Sequence, residues 1–372
     1  MIYHLSQFLD PHSETLLRLG YRYISSRAGL AFLCSMAIVL IFLPRTLNLF
    51  KRIGWVNHQR SYMIDASSKE GTPVMGGIHI FAASFIAMFS FCDLTNRYSQ
   101  VALFASVYFF LMGFYDDLMK VKAKHHDSGM SRSIKYLFQI GFGVTLGILL
   151  SSPLSPHPEL LHSTLSIPGF KEPIYIGYMY PVFTTFIIIS ISNAVNFADG
   201  MDGLATAPSF MSFLGLGIFA YILGNSIWSD HFLFFYVEHR GIFHIFSSEL
   251  VIVCAAILGA LMGFLWYNTY PATIFMGDCG SMFLGGVMAS VFIMIKQELL
   301  FPVFGILFLI EIATVLIQDY IGIKILGRRI FYRAPWHDYL KYKGYSEPKI
   351  VVRMWILSAA AMAVGLLTIK IR

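Results

Sequence analysis

Charge is scarce in this chain. Asp, Glu, Lys and Arg make up 13% of its 372 residues, about half the share found in a soluble domain. With 56% hydrophobic residues, there is too little polar surface to cover a water-soluble globule. Cysteine is scarce too. Cys34, Cys92, Cys254 and Cys279 are scattered, with no CxxC pair and no zinc spacing, so they read as small residues in or beside apolar segments. No basic stretch with a small-residue cleavage site opens the chain, and the first apolar run follows about 27 mixed residues, so no cleavable signal peptide is expected. No internal repeat marks inverted halves. The net charge of +6 is distributed as membrane topology requires rather than as a nucleic-acid surface.

What the chain has instead is long apolar runs. A membrane span needs about 20 apolar residues, and ten runs qualify as candidates: 28–50, 74–91, 100–116, 133–151, 176–195, 204–223, 248–267, 281–295, 300–323 and 350–369. The third and eighth look short, and the first and ninth are long enough to tilt or to extend past the bilayer. The expected fold is an all-α polytopic membrane protein, a single integral membrane domain over 1–372. Loops 44–73, 117–135 and 322–350 carry five, five and seven Lys or Arg residues, against nine in the alternate loops and termini. That bias puts the basic loops in the cytoplasm, and an even number of spans then puts both termini outside. Leu16, Leu17 and Leu19 interleave with Arg18 and Arg22, so 1–27 reads as a short interfacial segment. The outside segment 151–173 is rich in Pro and Ser, and turn residues between short apolar runs suggest a small hairpin near 166–176. Loop 224–247, with Trp228, Phe232, Phe234, Phe235 and Tyr236, is expected at the interface.

Five aspartates, Asp116, Asp117, Asp199, Asp202 and Asp278, stand at the ends of these runs. An acid at mid-bilayer costs about 2.5–3.5 kcal/mol on insertion scales, so carboxylates needed for chemistry belong where spans meet water. Counting spans puts all five on the cytoplasmic face. Asp116 and Asp117 close the third run and point about 100° apart on a helix, so one can face a metal while the other pairs with a lysine. Lys120 and Lys124 lie four apart on one face, near an approaching anion. The ordinary alternative is a solvated acidic pair with basic anchors.

Asn193, Asn196, Asp199 and Asp202 recur every third residue. Amides can read a base or ribose, and carboxylates bind hydroxyls or a hydrated metal. Gly200 and Gly203 permit close approach of backbone to a ligand. A plain loop needs a turn residue or two, not four polar side chains in register. Asp278 lies in a Gly-flanked turn before the eighth run, where helix-start amides suit phosphate. Mg²⁺ takes one or two carboxylates and leaves its other positions to water and phosphate. Phe275 is placed to stack on a planar base. A simple Asp cap followed by small-residue packing is the rival reading. The basic loop 328–344, with Arg328, Arg329, Arg333 and His337, suits anionic ligands or lipid headgroups.

Five ordered motifs carry a family resemblance: GTPVMGG at 71–77, GFYDD at 113–117, NAVNFADGMDGLA at 193–205, FMGDCGSMFLGG at 275–286 and APWH at 334–337. Over residues of about 45 to 360, the chain resembles the phospho-N-acetylmuramoyl-pentapeptide transferases, within the polyprenyl-phosphate HexNAc-1-phosphate transferase superfamily. The resemblance implies an Mg²⁺-dependent enzyme of the bacterial cytoplasmic (inner) membrane. It would move phospho-MurNAc-pentapeptide from UDP-MurNAc-pentapeptide to undecaprenyl phosphate, giving lipid I and UMP. Membrane lipid is the medium, nucleic acid is not a partner, and a homodimer is a candidate assembly.

By motif, Asp278 is the implied metal ligand, Asp116 the base or orienting group for the lipid phosphate, and Asp117 a second catalytic carboxylate. Asn193, Asn196, Asp199, Gly200, Met201, Asp202, Asn268 and Phe275 would form the nucleoside pocket. Lys69, Lys120 and Lys124 would meet phosphates or sugar, and His337 would belong to the histidine loop. The lipid phosphate is already a competent nucleophile, with a second pKa near 6, so direct attack is expected and help from Asp116 is modest.

The chain departs from the family where three consecutive histidines are usual. Here they read His337-Asp338-Tyr339, and Lys341 replaces a common acid. Val74 stands where Thr is common. The rival within the superfamily uses another UDP-HexNAc. The rival of another class is a secondary transporter, for which Glu311 is the clearest mid-span acid, with Gln318 and Asp319 nearer the inner end.

Overall fold

A computed structural model of the chain describes residues 23–57, 69–123, 128–168, 172–231 and 247–370, with Tyr3 and Phe170. Most of 1–27, residues 232–246 of the aromatic loop, and Lys124 lie outside the described residues. Each apolar run becomes a helix: α1 (Ile24–Arg52), α2 (Gly77–Phe91), α3 (Arg97–Ala123), α4 (Arg132–Ser151), α5 (Tyr180–Ala198), α6 (Thr206–Leu223), α7 (Glu249–Asn268), α8 (Asp278–Met294), α9 (Ile306–Leu316) and α10 (Glu347–Leu367). Eight are long and apolar enough to cross a membrane, counting α5 from Gly177 and α9 through Ile325. The chain is an all-α polytopic membrane protein.

The expectation of a short third span is corrected. α3 has 27 residues, because polar residues at both ends of the apolar run continue the helix, leaving Asp116 at the end of the run and carrying Asp117 and Lys120 beyond it. α9 has 11 residues before its π-helical continuation, and α2, at 15 residues, and α8, at 17, are also short. From Cys279 to Met294 every residue of α8 is buried, the pattern of a helix enclosed by protein on all sides. It packs against α3 and α5, while α7 packs against α1, α2 and α6. α1 is long, at 29 residues, and α9 runs on as a π-helix over Ile317–Ile325. On α4, Leu137, Ile140, Val144 and Ile148 are exposed, three and four residues apart on one face. Such an apolar stripe suits lipid.

The turn-rich segment after α4 forms the expected hairpin, with β1 (Thr164–Leu165) antiparallel to β2 (Ile174–Tyr175). A buried polar group fastens it to the end of α8. Lys296 Nζ donates to Thr164 O at 3.1 Å and to Tyr180 Oη at 2.8 Å, and Tyr180 donates to Glu298 Oε1 at 3.4 Å. Burial pulls Lys296 from its ordinary 10.5 down to about 8 and pushes Glu298 from 4.5 up to about 7. Both shifts reflect the cost of charge away from water.

Candidate active site

Asp116 and Asp117 lie near the end of α3, and Asp278 opens α8. A Cβ on Gly113 would fall 2.1 Å from Asp278 O, so the glycine is what lets the turn before α8 rest on α3, one turn ahead of the aspartates. One carboxylate oxygen from each of Asp116, Asp117 and Asp278 then lies within 4.8 Å of the others, a group able to hold a metal ion.

The three acids are used differently. Asp116 Oδ1 accepts from Met130 N at 2.6 Å, while its Oδ2 lies 2.6 Å from Lys120 Nζ and 3.0 Å from Lys135 Nζ. Asp117 Oδ2 accepts from Cys279 N at 2.8 Å, in the first turn of α8, where unpaired amides and the helix dipole favour negative charge. Asp278 Oδ1 accepts from Asn196 Nδ2 at 3.1 Å, and its Oδ2 faces Lys135 at 2.7 Å and Lys120 at 3.1 Å. Gly277, not Asp278, is the N-cap of α8, so the Asp278 carboxylate is left to the lysines. Three carboxylates against two ammoniums leave one net negative charge, and the hard oxygen donors fit a cation such as Mg²⁺.

Lys135 is a site residue that the sequence reading missed. Three residues after Arg132 in a basic loop, it counted only as a topology signal.

A second charged group lies on other segments. Lys69 Nζ pairs with Asp202 Oδ1 at 2.6 Å and with Glu347 Oε1, and lies 5.6 Å from the centroid of the Phe275 ring. Asp202 Oδ2 accepts from Ala272 N at 3.0 Å. Phe275 is held by backbone pairing, its N donating to Pro73 O at 2.9 Å and its O accepting from Gly76 N at 2.8 Å. Asn268 is buried, and its amide joins two loops. Oδ1 accepts from Gly203 N at 3.1 Å and Thr206 Oγ1 at 2.8 Å, and Nδ2 donates to Ile274 O at 3.0 Å. Glu347 was also missed, since an acid at a helix start has an ordinary reading as a dipole partner.

The every-third-residue series divides among tasks because α5 ends at Ala198. Asn193 Nδ2 donates to Gln139 Oε1 at 3.0 Å, away from the aspartates, and Asn196 turns to Asp278 and to Ser281 Oγ at 2.8 Å. Asp199 is half-buried just past the helix, and Asp202 joins Lys69. Met201 packs with Leu204, Leu307, Ile350 and Val351. A Cβ on Gly200 would meet His337 Nε2 at 2.2 Å, so that loop lies directly on the imidazole. His337 Nδ1 lies 3.0 Å from Glu311 Oε2, which also accepts from His337 N at 3.3 Å. The mid-span acid is therefore the histidine's partner. Asp338 Oδ1 lies 3.8 Å from His337 Nε2.

Comparison with known proteins gives the family. The model of glycosyl transferase family 4 matches residues 99–296, the stretch that carries Asp116, Asp117, Lys135 and Asp278. A phospho-N-acetylmuramoyl-pentapeptide-transferase of Rickettsia bellii (strain OSU 85-389) is 35% identical over 357 residues, covering 95% of each chain. That of Rickettsia rickettsii (strain Sheila Smith) is 36% identical over 363 residues, with the same coverage. That of Desulfosudis oleivorans (strain DSM 6200 / JCM 39069 / Hxd3) is 38% identical over 375 aligned positions, covering both chains fully. With identity at this level along its whole length, the chain belongs to the phospho-N-acetylmuramoyl-pentapeptide-transferase family of membrane phosphoglycosyl transferases.

Proposed function

We propose that the chain transfers phospho-MurNAc-pentapeptide from UDP-MurNAc-pentapeptide to undecaprenyl phosphate, forming lipid I and releasing UMP, at the cytoplasmic face of the bacterial inner membrane. The observation that carries this reading is the meeting of Asp116, Asp117 and Asp278 with Lys120 and Lys135. One phosphoanhydride is exchanged for another, so no strong nucleophile has to be generated, and catalysis is mainly positioning and charge neutralisation.

Asp278 and Asp116 are the residues to hold Mg²⁺, with Asp117 beside them. When bound, the ion neutralises charge on the diphosphate. Lys120 and Lys135 then have anionic substrate oxygens as alternative partners to the carboxylates. Asp116 orients the lipid phosphate and receives its proton where one remains. Asp117, fixed on the first turn of α8, keeps α3 and α8 in register. Lys69, Asp202, Asn268 and Phe275 belong to the nucleoside end of the donor, with Phe275 offering a face for uracil. His337, braced by Glu311, supports the loop at Asp199 and Gly200, with Met201 packed after it, while Asn193 is joined to Gln139.

The test is donor choice. Purified protein with undecaprenyl phosphate and Mg²⁺ is expected to release UMP from UDP-MurNAc-pentapeptide and not from UDP-GlcNAc. The reverse preference assigns the chain to another branch of the superfamily.

A further inference from the structure

Glu347 is the first residue of α10 and would ordinarily be read as an acid placed for the helix dipole. Its surroundings differ from that reading. The side chain is buried, and its oxygens are engaged by groups from three other segments. Oε1 accepts from Lys69 Nζ, in the lead-in to α2, and from Asp202 N at 3.0 Å, in the loop after α5. Oε2 lies 3.5 Å from Lys341 Nζ, on the short helix Trp336–Tyr342. Lys69 and Lys341 balance Asp202 and Glu347, so the group is neutral only while Glu347 is ionised and in place. The interactions of Lys69 run to Asp202, Glu347 and Phe275, whereas Lys120 and Lys135 serve the three-aspartate cluster. The two charged groups are held by different lysines.

We infer that Glu347 is a positioning residue of the donor site: it holds the Lys69 ammonium beside Phe275 and fixes the backbone of Asp202, and so governs donor affinity rather than the phosphoryl-transfer step. The inference rests on the function proposed above. Without the Glu347 charge, Asp202 is the carboxylate that remains to Lys69. Lys69 is then held beside the Phe275 ring from one side only, and the Asp202 amide is left with a neutral acceptor in place of a charged one. The ring and the ammonium no longer present one prepared surface to a nucleotide, while the groups around Asp116, Asp117 and Asp278 keep their partners.

The experiment is steady-state kinetics on the full chain in detergent, with UDP-MurNAc-pentapeptide, undecaprenyl phosphate and Mg²⁺, for wild type, Glu347→Gln, Glu347→Asp, Lys69→Gln and the double variant Glu347→Gln/Lys69→Gln. Glu347→Gln is expected to raise the donor KM about tenfold with kcat within about twofold, and to leave the acceptor KM unchanged. Glu347→Asp, which keeps the charge on a shorter stem, recovers part of that loss. In the Lys69→Gln background the glutamine substitution adds less than about twofold, because its effect passes through Lys69.

Wild-type constants, a fall confined to kcat, or fully additive effects in the double variant overturn the inference. If Glu347→Gln does not fold, Glu347→Asp decides by the same criterion: a raised donor KM at constant kcat supports the inference, and any other result contradicts it. A wild-type chain that releases no UMP overturns the functional reading, and the inference with it. An active wild type with the contrary kinetics overturns the inference alone.

Discussion

Lys135 reaches Asp116 and Asp278 from α4, a helix to which neither acid belongs. Asp116 and Asp278 are 162 residues apart in sequence, and the ammonium between them reads both. Replacing it leaves a buried and a half-buried carboxylate with one fewer counter-charge and removes a partner for a transferring phosphate. Lys135→Gln is therefore expected to lower kcat about a hundredfold or more in the UMP-release assay. An unchanged kcat would reduce the lysine to a structural pair. The aspartates themselves were legible in the sequence, since an acid at the end of an apolar run is conspicuous and costly to misplace. Lys135 was not, because a lysine in a basic loop has a sufficient reason to be there in the topology alone. Glu347 was hidden likewise by its helix start. The series from Asn193 to Asp202 looked like one surface, but the helix ends at Ala198, so Asn193 faces Gln139 while Asp202 reaches Lys69.

Among the elements, α8 organises the site. Enclosed on all sides, it presents Asp278 to α3 and Asn196, and takes Asp117 against its first turn. Its shortness was visible in the sequence, but what surrounds it was not, because an apolar run reads alike whether lipid or protein covers it. The length of α3 was misjudged for a related reason: hydropathy marks where the bilayer ends, while helical hydrogen bonding continues through Asp116 to Ala123. At its other end α8 leads to Lys296 and Glu298, whose shifts give the hairpin anchor a defined pH response. Burial raises Glu298, so between its ordinary 4.5 and about 7 the unfolded chain binds fewer protons than the folded one, and stability falls as pH rises. Burial lowers Lys296, so between about 8 and 10.5 the unfolded chain binds more protons, and stability rises with pH. The contribution of the pair is therefore lowest between about 7 and 8. Melting curves of wild type against Glu298→Gln are expected to diverge between pH 5 and 7, with the wild type losing stability as pH rises and the variant not. Parallel curves would show that Glu298 ionises in the folded chain as it does in water.

At the scale of the whole molecule, ten apolar helices among the described residues and two groups of charge define the enzyme. The ten runs were legible because period and length survive in any apolar segment of this size. Which loops share a face followed from Lys and Arg, and it carries its own test. With the basic loops in the cytoplasm, Arg328→Cys is expected to react with an impermeant thiol reagent only from the cytoplasmic side, and Tyr178→Cys only from the outside. Both positions are exposed, and the native cysteines are buried or half-buried. The opposite labelling would invert the orientation and place the aspartates outside. What the sequence did not show was the convergence of α3, α4, α5 and α8 on one point, which depends on close backbone approaches such as Gly113 on Asp278. The most direct test of that convergence is UMP release from UDP-MurNAc-pentapeptide as a function of Mg²⁺, in wild type and in Asp278→Ala. Saturable Mg²⁺ dependence in the wild type, and a loss of about a thousandfold in the variant at every Mg²⁺ concentration, are expected. Wild-type turnover by Asp278→Ala would contradict the assignment of the three aspartates as the reacting centre.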